Sequence, residues 1–163
     1  MPLNRTLKQI VKTFESFTTA GNKDKHYQLN SFVFNHPLEI VTKDVVYPCL
    51  AMYEGNSSIR NGGTFIEFKM FIFDRLLFDN SNELDVISDT HQIGFDIIQK
   101  LYSSEEEYGF VIDEESVSIE GFSENYLSTE GTDIEDKVAG HFFKFIVEVQ
   151  STFNNCDLPF EEE

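Results

Sequence analysis

Apolar residues recur every three or four positions near the start of the chain. Leu3, Leu7, Ile10, Val11, Phe14 and Phe17 are separated by Lys8, Lys12 and Glu15, which predicts an amphipathic helix. Asn4 or Thr6 supplies a cap, and Gly21 and Asn22 supply the stop. A second helical period predicts a helix over 81–102. Leu84, Ile87, His91, Gly94, Ile98 and Leu101 form its stripe, widened by Val86, Thr90, Ile93 and Ile97. Asn80 and Glu83 read as an Asn variant of the capping box. Glycine costs about 1 kcal/mol relative to alanine inside a helix. Its place in the stripe therefore predicts close approach of Gly94 to a sheet or another helix.

Between and after the helices the period changes to two. Over 64–75, Ile66, Phe68, Met70 and Ile72 share one face, and Phe65, Glu67, Lys69, Phe71 and Phe73 share the other. The first face predicts core. The second is charged in its middle and aromatic at its end, as on a face half-covered by a helix or another subunit. Over 140–150, Phe143, Phe145, Val147 and Val149 alternate with Lys144, Ile146 and Glu148. Shorter extended segments are predicted around Leu29, Phe32 and Phe34 and over 44–55, where Pro48 suggests an edge position or a bulge. Residues 54–63 read as a loop, 110–123 as two short strands around an acidic turn, and 124–140 largely as loop.

The order helix, strands, helix, strands gives the α+β class. It predicts a mostly antiparallel sheet packed by an N-terminal helix and a long central helix. The 163 residues read as a single domain, 1–163, with an extended acidic C-terminal tail at about 151–163.

Composition narrows the function. Twelve basic residues against 29 acidic ones give a formal charge of −17, which opposes nucleic-acid binding through phosphates and opposes an anionic membrane surface. A solvated surface, a conduit that repels DNA and a DNA mimic all fit that charge. Seventeen Phe and no Trp favour dry cores and dry subunit contacts. The stretch MPLNRTLKQIVKTF has no signal-like apolar region, and no membrane-length apolar run occurs. These features predict synthesis in the cytoplasm with Cys49 and Cys156 as reduced, unpaired thiols.

The chain offers little chemistry. His26, His36, His91 and His141 are scattered without metal-ligand spacing, and no CxxC occurs. RNGG lacks the lysine and the following helix of a phosphate loop and reads as a turn. DEESVSIEGFSE does not match a calcium loop. The acidic clusters read as solvated faces and His91 as a packed or partly exposed residue. No catalytic, cofactor-binding or metal-binding residue is predicted, and no enzyme.

Four stretches, in order, carry a family resemblance: LNSFVFNHPLEI (29–40), VVYPCLAMY (45–53), FDNSNELDVISDTHQIGFDII (78–98) and DKVAGHFFKFIVEVQSTFNNCDLPF (136–160). Together they resemble small virion proteins of crAss-like and related tailed bacteriophages of Bacteroidetes. The resemblance implies a tail-terminator-like or tail-completion-like fold, located in the virion tail. It also implies a closed ring of copies, twelvefold next to a portal or sixfold further down the tail, contacting the portal or other tail rings. DNA would cross its lumen without specific binding, and the family has no catalytic residues to carry over. Where FVFNHP stands, the family has a glycine-containing stretch.

On this reading the interface residues are Phe65, Phe71 and Phe73 on the second strand face, with Phe153, Leu158, Pro159 and Phe160 in the tail. The 54–63 segment is expected to join them, because long loops in compact domains usually bind something. The alternative is an acidic DNA mimic that inhibits a host DNA-binding enzyme.

Overall fold

A computed structural model of the chain describes residues 7–36, 39–103, 105–128 and 135–150. Helix α1 spans Leu7–Ser16 and buries Ile10 and Phe14, as its spacing predicts. The capping residues expected before it lie outside the described residues. Strand β1 follows at Ser31–Phe34, then β2 at Cys49–Arg60 and β3 at Gly63–Arg75. Helix α2 spans Glu83–Ser103, and a single turn, α3, spans Glu105–Tyr108. Strands β4, Val111–Ser128, and β5, Glu135–Gln150, complete the fold.

The strands form one sheet in the order β1-β2-β3-β5-β4. β1 runs parallel to β2, and the other three pairings are antiparallel, so the chain is α+β with a mixed sheet. β3 and β5 are both interior strands and pair from Gly63↔Gln150 to Arg75↔Val138. Ile66, Phe68, Met70 and Ile72 face α1 and α2 together with Phe143, Phe145, Val147 and Val149. The Phe14 ring lies 6.2 Å from Phe68 and 5.8 Å from Phe145. Each such phenyl ring removed from water contributes about 1.5–3 kcal/mol, so these packed rings fix α1 on the sheet.

Several expectations are corrected. Residues 54–63 are not a loop. β2 continues to Arg60, turns at Asn61 and Gly62, both at positive φ, and returns as β3. Asn-Gly is the preferred dipeptide for such a two-residue hairpin turn. Alternation is hard to see there because β2 is exposed on nearly every residue beyond Glu54. Pro48 marks neither an edge nor a bulge. It precedes Cys49, the first residue of β2, where its missing N–H costs no ladder bond, and β2 lies between two strands.

The stretch 110–140 is also more regular than its sequence suggests. β4 is one long strand with register shifts between Asp113 and Ser118 and between Phe122 and Asn125. At the first shift the Ser116 hydroxyl accepts the Ile146 N–H at 2.8 Å, which replaces a lost ladder bond. The acidic turn expected there is this bulge.

The start of α2 differs as well. Asn80 adopts a left-handed φ of 59° and its side chain takes a hydrogen bond from Lys137, so it does not cap the helix. Asn82, immediately before the helix, spends its side chain on the preceding loop. Its Oδ1 accepts the Leu77 N–H at 2.8 Å and its Nδ2 donates to the Arg75 carbonyl at 3.1 Å. The buried face is Val86, Thr90, Ile93, Gly94, Ile97 and Leu101. The stripe is thus turned toward the residues expected only to widen it, and Leu84 and His91 are exposed.

Candidate interaction surfaces

Among the described residues the α-helices pack on one face of the sheet. On the other, a second cluster of Ile40, Val45, Cys49, Ala51, Phe73, Leu127 and Val138 closes one end. Beyond it no described element covers the face. Tyr53, Phe71 and Phe142 lie across β2, β3 and β5 as a half-buried aromatic row. Ring centroids are 6.3 Å apart for Tyr53 and Phe71 and 4.7 Å apart for Phe71 and Phe142. Next to the row, Lys69 stands 5.5 Å from the Tyr53 ring and Lys144 pairs with Glu67 at 3.3 Å. Toward the hairpin tip the Arg60 guanidinium covers the Phe65 ring at 4.6 Å. The surface is therefore apolar in patches, and its Lys69, Lys144, Glu67 and Arg60 are held by neighbours. That composition suits contact with another protein surface better than open solvent.

The expected interface residues divide. Phe65 and Phe71 lie on this open face and are half-buried. Phe73 does not. Only 3% of it is exposed, and it packs in the closed end with the Tyr47 ring 6.2 Å away. The segment carrying Ile40 and Val45 covers that end of the strand, which sequence alternation could not reveal. Phe153, Leu158, Pro159 and Phe160 lie outside the described residues.

Two grooves escaped the sequence reading. One, of about 220 Å³, runs between α2 and β4 and is lined by Phe95, Ile98, Tyr102, Val117 and Ile119 beside Glu114. The other, of about 510 Å³, runs between α1 and the β1 edge of the sheet. Leu7, Val11, Phe32 and Phe34 form its floor and Lys8 and Lys12 its rim. Its signal was present in the helix pattern: Leu7 and Val11 belong to the apolar stripe of α1 yet remain partly exposed.

The sheet edges differ in character. β1 pairs only with Cys49–Met52, so the edge of β2 beyond Met52 has no strand neighbour among the described residues. The outer edge of β4 is broken by its two register shifts and carries Asp113, Glu114, Glu115 and Glu120, which discourages strand addition.

Titratable groups are few in the interior. His141, on β5, is buried, and its Nδ1 lies 3.1 Å from Thr90 Oγ1 on α2. The same hydroxyl lies 2.8 Å from the Val86 carbonyl and 3.2 Å from the Ile87 carbonyl, and the imidazole tautomer sets which partner donates between Thr90 and His141. Burial, and then the nearby His91, hold the His141 pKa below its ordinary value. The two imidazole rings are edge-to-face at 5.1 Å. Scattered in sequence, these two histidines meet because α2 crosses β5. On the far side, Tyr47 donates to Asp136 at 2.9 Å, and Asp136 also faces Arg75 at 3.4 Å. Burial pushes the Cys49 thiol up to about 12, so it stays protonated. Among the described residues no cluster of His, Cys, Asp and Glu is arranged to hold a metal ion, and no helix is long and apolar enough to cross a membrane.

No protein-family model matches the chain, and no curated protein matches it significantly.

Proposed function

We propose that the chain is a structural ring protein of a phage tail or head–tail connector, with a tail-terminator-like fold. In this reading its copies close around the channel that DNA crosses. The observation that carries the reading is the open sheet face, where Tyr53, Phe71 and Phe142 stand half-buried with no layer of the described chain over them. A neighbouring subunit supplies that layer. The surplus of acids supports the same role, because a lumen without basic walls does not hold DNA through counterion release. Each subunit has two different sides, so its contacts are head-to-tail, and a finite connector requires that they close. Twelve copies match a portal and six match the tail tube.

Light scattering after size-exclusion chromatography, with electron micrographs of the same fraction, tests this. Closed rings are expected, and Ile146→Glu on the open face should leave the melting temperature within a few degrees while breaking them. A strict monomer that captures a basic DNA-binding enzyme would replace this reading with that of an acidic DNA mimic.

A further inference from the structure

We propose that the groove between α1 and β1 receives the C-terminal segment, residues 151–163, of a second copy of this chain. The inference deepens the ring reading and rests on it for the identity of the occupant.

The groove and the segment are complementary. The floor is apolar, formed by Leu7, Val11, Phe32 and Phe34, the last of these 46% exposed. Its rim carries Lys8 and Lys12 against the single acid Glu15, a local positive surplus on a chain of net charge −17. The segment STFNNCDLPFEEE offers Leu158, Pro159 and Phe160 as apolar anchors, followed at once by Glu161, Glu162 and Glu163. It contains four acids and no base. Seating Phe160 on Phe32 and Phe34 brings the glutamates to the two lysines. The proline narrows the extended conformations open to the segment, so less entropy is lost on docking.

Reach and path together favour the groove of another copy over the chain's own. Gln150 pairs with Gly63 at the hairpin tip, whereas Phe34 lies level with Met52, Met70 and Phe143. Seven residues along the strands and three strand spacings separate the two, roughly 27 Å in a straight line. The ten residues from Gln150 to the Phe160 anchor span about 33–36 Å when drawn fully taut, which leaves under about 10 Å for any detour. A route to the chain's own groove that rounds the sheet edge or α1 is longer than the straight line and uses up that slack. A neighbouring copy places the groove nearer without that detour. The contact is heterologous, segment to groove, and so passes from copy to copy as a ring requires.

Complementation of full-length chains tests the proposal. One chain carries Phe160→Ala, with its groove intact. The other carries Lys8→Glu, Lys12→Glu and Phe34→Ser, with its segment intact. Each alone should associate about tenfold or more weaker than the unaltered chain. Mixed, they should form a one-to-one pair, since one segment and one groove remain. Glu161→Lys, Glu162→Lys and Glu163→Lys together should restore association to a chain carrying Lys8→Glu and Lys12→Glu. Circular dichroism confirms that each variant is folded, and Phe34 and both lysines are exposed enough to make this a surface test. If the unaltered chain forms closed rings that neither variant weakens, the segment contact is wrong and the ring reading survives. If the mixture pairs but the unaltered chain polymerises without closing, the ring reading fails and the contact stands. Unaltered chains that stay monomeric, with the segment protected from protease only when the groove is intact, would show docking within one chain and overturn the proposal.

Discussion

Gly94 of α2 lies so close to Phe143 of β5 that a Cβ on it would stand 2.1 Å from the phenyl ring. The helix rests on the sheet at this point. Gly94→Ala would gain about 1 kcal/mol of helix propensity but must displace a fully buried ring, and overpacking of that kind costs about 1–3 kcal/mol or more. A net loss of stability is expected in urea denaturation. Adding Phe143→Leu should recover part of it, so that the double variant is more stable than the sum of the single effects.

Phe68 and Phe145 face each other across β3 and β5 and are both fully buried. Phe68→Ala or Phe145→Ala should each cost about 3–5 kcal/mol. Phe78, fully exposed in the loop before α2, serves as the control, and Phe78→Ser should change stability by less than about 0.5 kcal/mol. Equal effects at the three positions would contradict this core.

Asn82 holds the loop before α2 through two side-chain bonds, to the Leu77 N–H and the Arg75 carbonyl. Asn82→Ala should cost about 1–2 kcal/mol in thermal or chemical unfolding. Asn80→Ala should also destabilise, through its left-handed φ, by about 1–2 kcal/mol. Asn80→Gly should be milder, because glycine accepts that backbone without strain.

The depressed pKa of His141 gives stability a pH dependence with a definite sign. The folded state favours neutral imidazole, and the unfolded chain takes up its proton near pH 6.5. Stability from this group is therefore complete above about pH 6.5 and falls as the pH drops below it toward the folded value. His91, which repels a second positive charge, adds to the same trend. Urea midpoints between pH 7.5 and 5.5 should fall more steeply for the unaltered chain than for His141→Gln. His91→Gln should leave assembly intact and soften the slope. Identical slopes in all three would remove His141 from the account.

Salt separates apolar contacts from exposed ion pairs. Copies at −17 repel one another, and salt screens that repulsion beyond about 8–10 Å near physiological ionic strength. Light scattering should show association strengthening from low to moderate salt. Dissociation over that range would indicate an interface held mainly by exposed charges.

Legibility in the sequence followed burial. β3 and β5 announce themselves because one face of each is wholly apolar, and Gly94 did so because glycine inside an apolar stripe has few other reasons to be there. The outer half of β2 was hidden because neither of its faces is buried, which leaves no alternation to read. The Asn61–Gly62 turn was the available sign. β4 was hidden because its bulges shift the period twice. Phe73 was misplaced because its cover comes from residues 40–48, distant in sequence and without strong periodicity of their own. The α1–β1 groove and the meeting of His91 with His141 depend on tertiary placement, which no local pattern encodes.

The position of β5 has a further consequence for how the chain reaches this state. β5 lies between β3 and β4, yet both precede it in sequence. Until it arrives, β3 presents an unpaired edge beside Phe68, Met70 and Ile72, and β4 has no partner in the sheet. The sheet therefore closes by late insertion of a central strand through contacts distant along the chain, a slow kind of pairing that leaves apolar edges open to other molecules. The acidic surplus, a net charge of −17, makes such half-made chains repel one another, so the same charge that keeps finished copies soluble also guards the interval before the sheet is complete.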